Sequence, residues 1–210
     1  MKSSNEQIKF SNFLVRFWKF LQEDSWQSWI VSLILLVVLI RFVFFPFLGF
    51  VTGSPLPLVV IESCSMYHNS RFDEWWNERS DWYEKNGLKK VDFREFPFRD
   101  GLNKGDIVLV WGRSGYKIGD VIIFEPNFDS SAPHPIIHRI VAENPYQTKG
   151  DNNFAQLVSG SPANPQNIDE TNILEEQIVG KAVFRIPYLG WIKLIFFEPF
   201  RNGGDRGLCS

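Results

Sequence analysis

The 210-residue sequence predicts a mainly β domain that is held at a membrane by one N-terminal transmembrane helix, with an amphipathic helix before it. Two patterns predict this architecture. Residues 29–51 are almost continuously apolar, and a helix of that length, at about 1.5 Å per residue, is long enough to cross a bilayer. From residue 56 onward the pattern changes to short β-branched runs separated by turn residues, which is typical of strands.

The composition excludes several classes of function. Lys and Arg (22) nearly balance Asp and Glu (24), which leaves no basic field for a polyanion, so we expect no nucleic-acid partner. The only cysteines, Cys64 and Cys209, provide neither a disulfide framework nor a set of metal ligands. The sequence lacks a His-Glu-x-x-His motif, a phosphate-binding loop and a dinucleotide fingerprint, so we expect neither a metal nor an organic cofactor.

One charged residue, Arg41, interrupts the apolar segment. An Arg at mid-helix costs about 2.5 to 3.5 kcal/mol on the insertion scale, whereas each Leu, Ile, Val or Phe returns about 0.3 to 0.6 kcal/mol, so insertion is favoured. The alternative, a buried helix of a soluble domain, is unusual for a helix without a polar face. Pro46 and Gly49 are expected to bend or end the far side of the helix.

The flanking charges predict the orientation of this helix. Four basic residues precede it (Lys2, Lys9, Arg16 and Lys19), and only Arg71 lies in the twenty residues that follow. The positive-inside rule then predicts that the N-terminus is cytoplasmic, that the chain crosses the cell membrane once, and that the later sequence lies outside the cytoplasm. Because 28 residues precede the helix, we interpret it as an uncleaved signal anchor.

The prediction divides the chain into four parts. Residues 1–28 form a cytoplasmic amphipathic helix, which lies at the membrane interface or docks on a partner subunit, and residues 29–51 form the transmembrane signal anchor. Residues 52–190 form the extracytoplasmic β domain. Residues 191–210 are an interfacial segment and tail, too short in apolar length to span a bilayer.

Five runs predict the strands of the β domain: residues 58–61, 107–111, 121–124, 136–141 and 178–186. Residues 69–104 interrupt them with a helix, since five aromatic residues fall on one helical face (Phe72, Trp75, Trp76, Trp82 and Tyr83). This face packs on the β domain or touches lipid. Residues 154–168 are a polar stretch that reads as an inserted loop.

The chemistry that remains open to this sequence is that of Ser, His and Asp. A serine nucleophile needs a base within hydrogen-bond reach and an acceptor that orients the base. Ser65 lies just after the strand that ends at Ile61, which presents it at a strand edge. A serine in that position is by itself more often a turn residue, so the assignment depends on the blocks that follow.

Six blocks, in order, resemble the type I signal peptidases. The serine box corresponds to residues 52–66, with Glu62-Ser63-Cys64-Ser65-Met66 at its end. The other blocks are residues 103–108, 119–124, 136–141 (containing His-Arg), 148–153 (containing Gly-Asp-Asn) and the closing segment 179–190. Because His138 stands where the bacterial form carries Lys, the sequence is similar to the archaeal and endoplasmic-reticulum branch. The resemblance implies a signal-peptidase-like β-barrel.

The resemblance also implies a membrane-bound serine endopeptidase that cleaves signal peptides. Ser65 would be the nucleophile and His138 the general base. An imidazole suits this role, because its unperturbed pKa of about 6.5 lets it take up a proton at neutral pH. The backbone N–H of Ser65 and the hydroxyl of Ser63 would form the oxyanion hole.

The acid that orients His138 has two candidates, Asp151 and Asp169. The family has one Asp in Gly-Asp-Asn, corresponding to Asp151, and a second a few residues later, but the next Asp after Asp151 is Asp169. Asp169 has the family's spacing to Val-Gly-Lys at 179–181, so we favour Asp169 as the partner of His138, with Asp151 supporting the site. If the inserted loop displaces Asp169, this assignment fails.

The family's substrate lies extended between two strands, which implies pairing with residues 58–63 and 135–137. The residues expected to bind it are Leu58, Val59, Val60, Ile61, Met66, Ile136 and Ile137. Small residues such as Ala-x-Ala would precede the cleaved bond. The expected partners are signal peptides of secreted preproteins, the lipid bilayer and accessory membrane subunits.

Two other interpretations remain. A membrane-tethered, non-catalytic binding or assembly subunit on the same scaffold is the main alternative, and the displaced second Asp is its best argument. A self-cleaving regulatory protease is disfavoured by His138 in place of Lys and by the lack of a DNA-binding segment. We expect loop roles in solvent for His68 and His134 and a packing role for Cys64.

Overall fold

The computed structural model describes residues 2–201 and 206–209, with side chains from residue 9 onward. It divides into two compact units, Met1–Val51 and Thr52–Ser210. The first unit is helical and the second contains the sheet. The predicted fold class, a mainly β domain with an inserted helix and one N-terminal apolar helix that could span a membrane, is confirmed.

The N-terminal unit begins with helix α1 (Lys2–Leu21). Helix α2 (Trp26–Leu39), a π-helical turn (Ile40–Phe44) and helix α3 (Phe45–Thr52) then follow without a break. Ser25 starts α2, because its side-chain oxygen accepts a hydrogen bond from the Ser28 N–H at 3.2 Å. Together residues 26–52 form a 27-residue apolar helix, somewhat longer than the predicted residues 29–51.

Pro46 and Gly49 do not end this helix, which continues to Thr52. Proline removes one backbone donor and its ring crowds the carbonyl four residues earlier. The π-helical turn ends at Phe44, two residues before Pro46, and the N–H of Phe45, the residue after the turn, donates to the carbonyl of Ile40, five residues back. A π turn is a local widening of the helix, so it accommodates the proline ring without breaking the chain's helical path.

The second unit is built on a six-stranded antiparallel sheet with the order β1-β2-β6-β3-β4-β5. The strands are β1 (Leu58–Val60), β2 (Ile107–Trp111), β3 (Val121–Phe124), β4 (Ile136–Ala142), β5 (Gln147–Lys149) and β6 (Ile178–Ile186). Five of them match the predicted runs. The sequence did not reveal β5, because three residues of Gln-Thr-Lys carry no apolar run.

The main core lies on one face of this sheet. Val108 and Val110 of β2 and Val121 and Ile123 of β3 are fully buried in it, as the two-residue period of a strand requires. The opposite face of β3 is covered too, since Ile122 belongs to a second buried cluster. Central strand β3 is therefore buried on both faces and supports β4, its neighbour in the sheet.

The inserted segment forms helices α4 (Phe72–Lys85) and α5 (Lys90–Arg94). Four residues of the predicted aromatic face, Phe72, Trp75, Trp76 and Tyr83, are buried in one cluster with Phe93 of α5 and Val141 of β4, and the fifth, Trp82, is partly buried against it. The aromatic face therefore packs on the sheet and attaches the insertion to the strand that carries His138.

Near the C-terminus, helix α6 (Trp191–Phe197) buries Leu194 and exposes Ile192, Ile195 and Phe196. This pattern is amphipathic. The interfacial role expected for residues 191–210 stays a prediction, and residues 202–205 and 210 lie outside the described residues.

The sheet is curled into a half-barrel, and the loops that follow its two end strands are joined. The backbone N–H of Asn152, after β5, donates to the carbonyl of Ser65, after β1, at 2.8 Å. The side-chain amide of Asn152 donates to the carbonyl of Cys64 at 3.1 Å. The first and last strands of the sheet order thus deliver their following loops to one place, which is the candidate site.

Candidate active site

The segment that carries Ser65 leaves β1 along a short continuation of the sheet. Ile61 exchanges backbone hydrogen bonds with the loop before β2, donating to Asp106 and accepting from Gly105 at 2.8 Å each. A turn then follows, closed by the N–H of Tyr67 donating to the carbonyl of Cys64. The hydroxyl oxygens of Ser63 and Ser65 lie 3.1 Å apart, so both predicted oxyanion and nucleophile groups are on the same side of this turn.

His138 lies on β4 with only 3% of its surface exposed. Its Nδ1 atom lies 2.5 Å from Oε1 of Glu170, a fully buried side chain. The Glu170 carboxylate also accepts hydrogen bonds from Thr148 Oγ1 at 3.0 Å and from the N–H of Leu157 at 2.7 Å. These two donors therefore hold the carboxylate against the imidazole, as a group that orients a base must be held.

The structure thus corrects the expected pairing of Asp169 with His138. The carboxylate of Asp169 accepts hydrogen bonds from the N–H and the hydroxyl of Thr171, at 2.9 and 2.7 Å, and makes no described hydrogen bond to His138. Glu170, the next residue, contacts His138, while the Asp169 side chain turns back onto Thr171.

Asp151 does not partner His138 either. It is fully buried and faces the guanidinium of Arg139, with Nε to Oδ1 at 3.0 Å and Nη2 to Oδ2 at 2.7 Å. His68 Nε2 lies 3.1 Å from Oδ2, and the Tyr83 hydroxyl donates to Oδ1 at 3.0 Å. Burial alone would raise the pKa of Asp151, but the charge of Arg139 and these hydrogen bonds hold the pKa far below its ordinary value.

The other N–H groups of Arg139 donate to backbone carbonyls of Pro97, Phe98 and Gly119, at 2.7 to 2.9 Å. Arg139 therefore ties β4 to the end of the inserted segment as well as to Asp151. The expected loop role of His68 is wrong: this side chain is buried and stacks on Trp75 with ring centres 3.7 Å apart. His134, in contrast, is exposed as expected.

Lys149 is a buried residue that contacts the loop containing Gly150. It is fully buried, and its Nζ donates to the carbonyl of Gly150 at 3.0 Å and to the hydroxyl of Tyr83 at 3.3 Å. Burial lowers the pKa of Lys149 to about 8, against the opposing effect of Asp151. Burial is also the main cause of the raised pKa of Tyr83.

Gly150 brings the two halves of the site together. A β-carbon added to this residue would lie 2.7 Å from His138 Nε2 and 2.9 Å from the carbonyl oxygen of Ser65. Both groups therefore border the space where a side chain would otherwise stand. The Ser65 carbonyl and Nε2, the imidazole nitrogen that Glu170 does not contact, therefore border the same small space, and the described hydrogen bond of Ser65 Oγ is to Ser63 Oγ rather than to His138.

The sequence analysis predicted a packing role for Cys64, but this residue has a covalent partner. It forms a disulfide with Cys209, 145 residues later, so the residue between Ser63 and Ser65 is covalently attached to the C-terminal end of the described chain. Two cysteines so far apart in the sequence give no local signal of pairing.

The expected substrate-binding residues lie along two strand segments. β1 ends the strand order, so one of its edges lacks a described strand partner. In β4, the pairing with β5 begins at Arg139, which leaves Ile136 and Ile137 unpaired on that side. Val59 and Ile137 pack on the same core cluster, and Ile61 and Met66 belong to it, so the two segments border one apolar surface.

Comparison with known proteins identifies relatives of the chain. It is 26% identical over 106 residues to a signal peptidase complex catalytic subunit SEC11 of Colletotrichum graminicola, covering 46% of this chain and 57% of the relative. The subunit of the same name from Komagataella phaffii is 25% identical over 163 residues, or 72% of each chain. That of Lachancea thermotolerans is 29% identical over 119 residues, covering 52% of this chain and 67% of the relative.

These relatives confirm the resemblance found in the sequence. No protein-family model matches the chain. The match spans only a little over half of the length of the first relative, 57%.

The buried ion pair leads to a prediction about stability. Replacing Asp151 by Asn leaves the Arg139 charge buried without a counter-charge, so we expect Asp151→Asn to lower the free energy of unfolding by about 3 to 5 kcal/mol at pH 7. The pKa of Asp151 is lowered in the folded protein. The contribution of its charge to the free energy of unfolding is therefore fully present above the carboxyl pKa of the unfolded chain, about 3.9, and declines below that pH. The difference between wild type and variant should narrow by about 1.4 kcal/mol per pH unit below that value.

Chemical denaturation of the full chain in detergent, followed by tryptophan fluorescence at pH 7 and pH 3, measures both effects. Asp169→Asn is the matched control, expected to cost about 1 kcal/mol or less because it removes only a local turn contact. Equal losses for the two variants at pH 7 would contradict the structural role given to Asp151.

Proposed function

We propose that this chain, a relative of signal peptidase complex catalytic subunits, is a membrane-bound serine endopeptidase that removes signal peptides from translocated preproteins. The observation that supports the proposal is that the Ser65 carbonyl and His138 Nε2 both border the space beside Gly150, while Nδ1 of the same imidazole lies against Glu170. This arrangement supplies a nucleophile, a base and an orienting acid in the required order.

The reaction follows from these positions. Nε2 of His138 takes the proton of the Ser65 hydroxyl as Oγ attacks the scissile carbonyl, and it later gives that proton to the leaving amine. The oxyanion that develops is stabilised by the Ser65 N–H and the Ser63 hydroxyl, whose oxygen lies 3.1 Å from Ser65 Oγ. A water activated by His138 then hydrolyses the ester on Ser65.

Glu170 takes the part that the sequence had assigned to an Asp. Its carboxylate accepts a hydrogen bond from Nδ1–H, which keeps Nε2 available as the base, and its charge stabilises the imidazolium when it forms. Asp151 acts indirectly, because it neutralises the charge of Arg139 and fixes the loop that contains Gly150. The proposed triad is therefore Ser65, His138 and Glu170.

The substrate would bind as an extended strand between β1 and the first residues of β4. The unpaired edges of Leu58, Val59 and Val60 and of Ile136 and Ile137 supply main-chain donors and acceptors. The partly buried Val59 and Ile137, which pack on the same core cluster as Ile61 and Met66, would border the side chains one and three residues before the cleaved bond.

The apolar helix of residues 26–52 would hold the chain in the membrane, with the N-terminus cytoplasmic and the β unit outside. The exposed Ile192, Ile195 and Phe196 of α6 would lie at the outer membrane surface. Accessory membrane subunits are compatible partners, since the relatives are named as subunits of a complex.

The non-catalytic alternative loses its best argument in this arrangement. It depended on a displaced acid, and Glu170 occupies the position beside His138 that the displaced Asp169 leaves empty.

Cleavage of a preprotein with an Ala-x-Ala site tests the proposal directly. Full chain in detergent should release the signal peptide, and Ser65→Ala and His138→Ala should each lower kcat by about 10^3-fold or more, because the proposed nucleophile and base act as one unit. His134→Ala, at an exposed loop position, is the control and should keep wild-type kcat. A folded wild-type chain that binds the preprotein without cleaving it would favour the non-catalytic subunit.

The identity of the acid has its own test. Glu170→Gln keeps the size of the side chain but no longer stabilises the imidazolium or the correct tautomer, so we expect kcat to fall by about 10^4-fold with little change in KM. Asp169→Asn, one residue earlier, should keep kcat within about threefold, since Asp169 contacts Thr171 instead. Steady-state kinetics on the same preprotein distinguish the two, and the reverse ranking would restore Asp169 as the partner.

The role of Gly150 can be tested without touching any proposed catalytic group. The added methyl group of Gly150→Ala would lie 2.7 Å from His138 Nε2, so we expect displacement of the imidazole and a loss of kcat of about 100-fold. Gly115→Ala is the matched control, because a β-carbon there meets nothing within 4 Å. Equal kcat values for the two variants would show that Nε2 does not need this space.

A further inference from the structure

Ser63 is exposed, yet both of its neighbours in the sequence are attached to the C-terminal end of the chain. Glu62 is held by ion pairs and Cys64 by the disulfide. We call residues 191–201 and 206–209 the strap. Since little packing surrounds an exposed serine, these attachments constrain its backbone together with the hydrogen bonds that Asn152 donates to Cys64 and Ser65.

The attachment at Glu62 involves both its backbone and its carboxylate. Arg201 Nη1 donates to the Glu62 carbonyl at 2.9 Å, and Nη2 lies 2.5 Å from Oε2. Lys193 Nζ lies 2.8 Å from Oε1. Burial opposes ionisation of Glu62, but the two cations prevail and lower its pKa. The strap therefore grips this residue through two charged groups.

The strap is itself fixed to the β unit, so it can hold the segment that it grips. Trp191 Nε1 donates to the carbonyl of Lys104 at 3.1 Å, and Lys104 Nζ, almost fully buried, lies 2.8 Å from Glu198 Oε1. The other oxygen of Glu198 accepts the N–H of Gly207 at 2.7 Å. The end of the strap that carries Cys209 is thereby tied to the same buried lysine.

We propose that the strap positions the Ser63–Ser65 turn for cleavage, and that the Cys64–Cys209 disulfide is needed for this, so that a dithiol lowers turnover. Glu62, Arg201 and Cys209 are then positioning residues, which act through the turn and do not touch the substrate. This inference rests on the proposed peptidase function. It adds a redox dependence that the triad alone does not imply.

The redox step is a simple exchange. A dithiol donates two electrons to the disulfide, the sulfur–sulfur bond breaks, and Cys64 and Cys209 each take up one proton as thiols, while the dithiol closes to its own disulfide. A small-molecule disulfide reverses the reaction, removing two electrons and two protons from the cysteines. After reduction, the strap holds the turn through Glu62 alone.

The test compares the oxidised full chain in detergent with the same chain after dithiothreitol, using the Ala-x-Ala preprotein. We expect kcat per folded molecule to fall by about 10- to 100-fold, with KM within about twofold, since misplacing reacting groups by about 1 Å has effects of this size. Folded fraction is taken from tryptophan fluorescence, so that partial unfolding is not counted as lost turnover. Cys209→Ser should show the same loss and no further response to dithiothreitol.

Two further variants separate positioning from stability. Arg201→Gln should lower kcat per folded molecule, and Arg201→Lys should restore most of it, because the charge toward Glu62 returns. Arg94→Gln is the matched control: it removes an exposed ion pair to Asp73 on the inserted helices and should leave kcat unchanged.

Hydrogen exchange distinguishes failure of this inference from failure of the peptidase proposal. Backbone amides of residues 62–67 should exchange faster after reduction, whether or not the chain cleaves the preprotein. If the oxidised chain is inactive but exchange rises on reduction, the strap stands and the peptidase proposal fails. Unchanged exchange and unchanged kcat after full reduction, verified by mass spectrometry, would overturn the strap.

Discussion

The buried ion pair between Arg139 and Asp151 is the interaction on which the candidate site depends. Each partner is the sequence neighbour of a residue at the site: Arg139 follows His138, and Asp151 follows Gly150. Neighbouring side chains of a strand point to opposite faces. The ion pair of Arg139 on one face of β4 therefore fixes the backbone that carries the imidazole of His138 on the other face. A buried pair of this kind is costly to break, which keeps β4 and the loop after β5 in one register.

The two acids beside the candidate base therefore have different tasks. The charge of Asp151 is balanced by Arg139, and His68 and Tyr83 use its other hydrogen-bonding positions. Among the described residues, no Lys or Arg lies at hydrogen-bond distance from Glu170, and the partners of its carboxylate are His138, a hydroxyl and a backbone N–H. An acid in that environment is available to stabilise an imidazolium, whereas Asp151 is already committed to a guanidinium.

Two additions to the sheet, one inserted after β1 and one at the C-terminal end of the described chain, hold the loops of the site. The inserted helices bury Tyr83 against Asp151 and Lys149, which fixes the loop around Gly150. The strap grips Glu62 and Cys64, which fixes the turn around Ser63. Neither addition supplies a reacting group in the proposed mechanism. Both constrain loops that a small half-barrel would otherwise hold only at their ends.

The sequence alone determined the features that repeat along the chain: the apolar helix, five strands and the aromatic face of α4, because residues two or four apart report on burial by their spacing. Ordered motifs also predicted that Ser65, His138 and Asp151 belong to one site. Only the tertiary structure decided that Glu170 rather than Asp169 faces His138, that Cys64 pairs with Cys209, and that Gln147–Lys149 joins the sheet as β5. Each of these depends on which side of the chain meets a distant segment, and spacing along the chain carries no information about that choice.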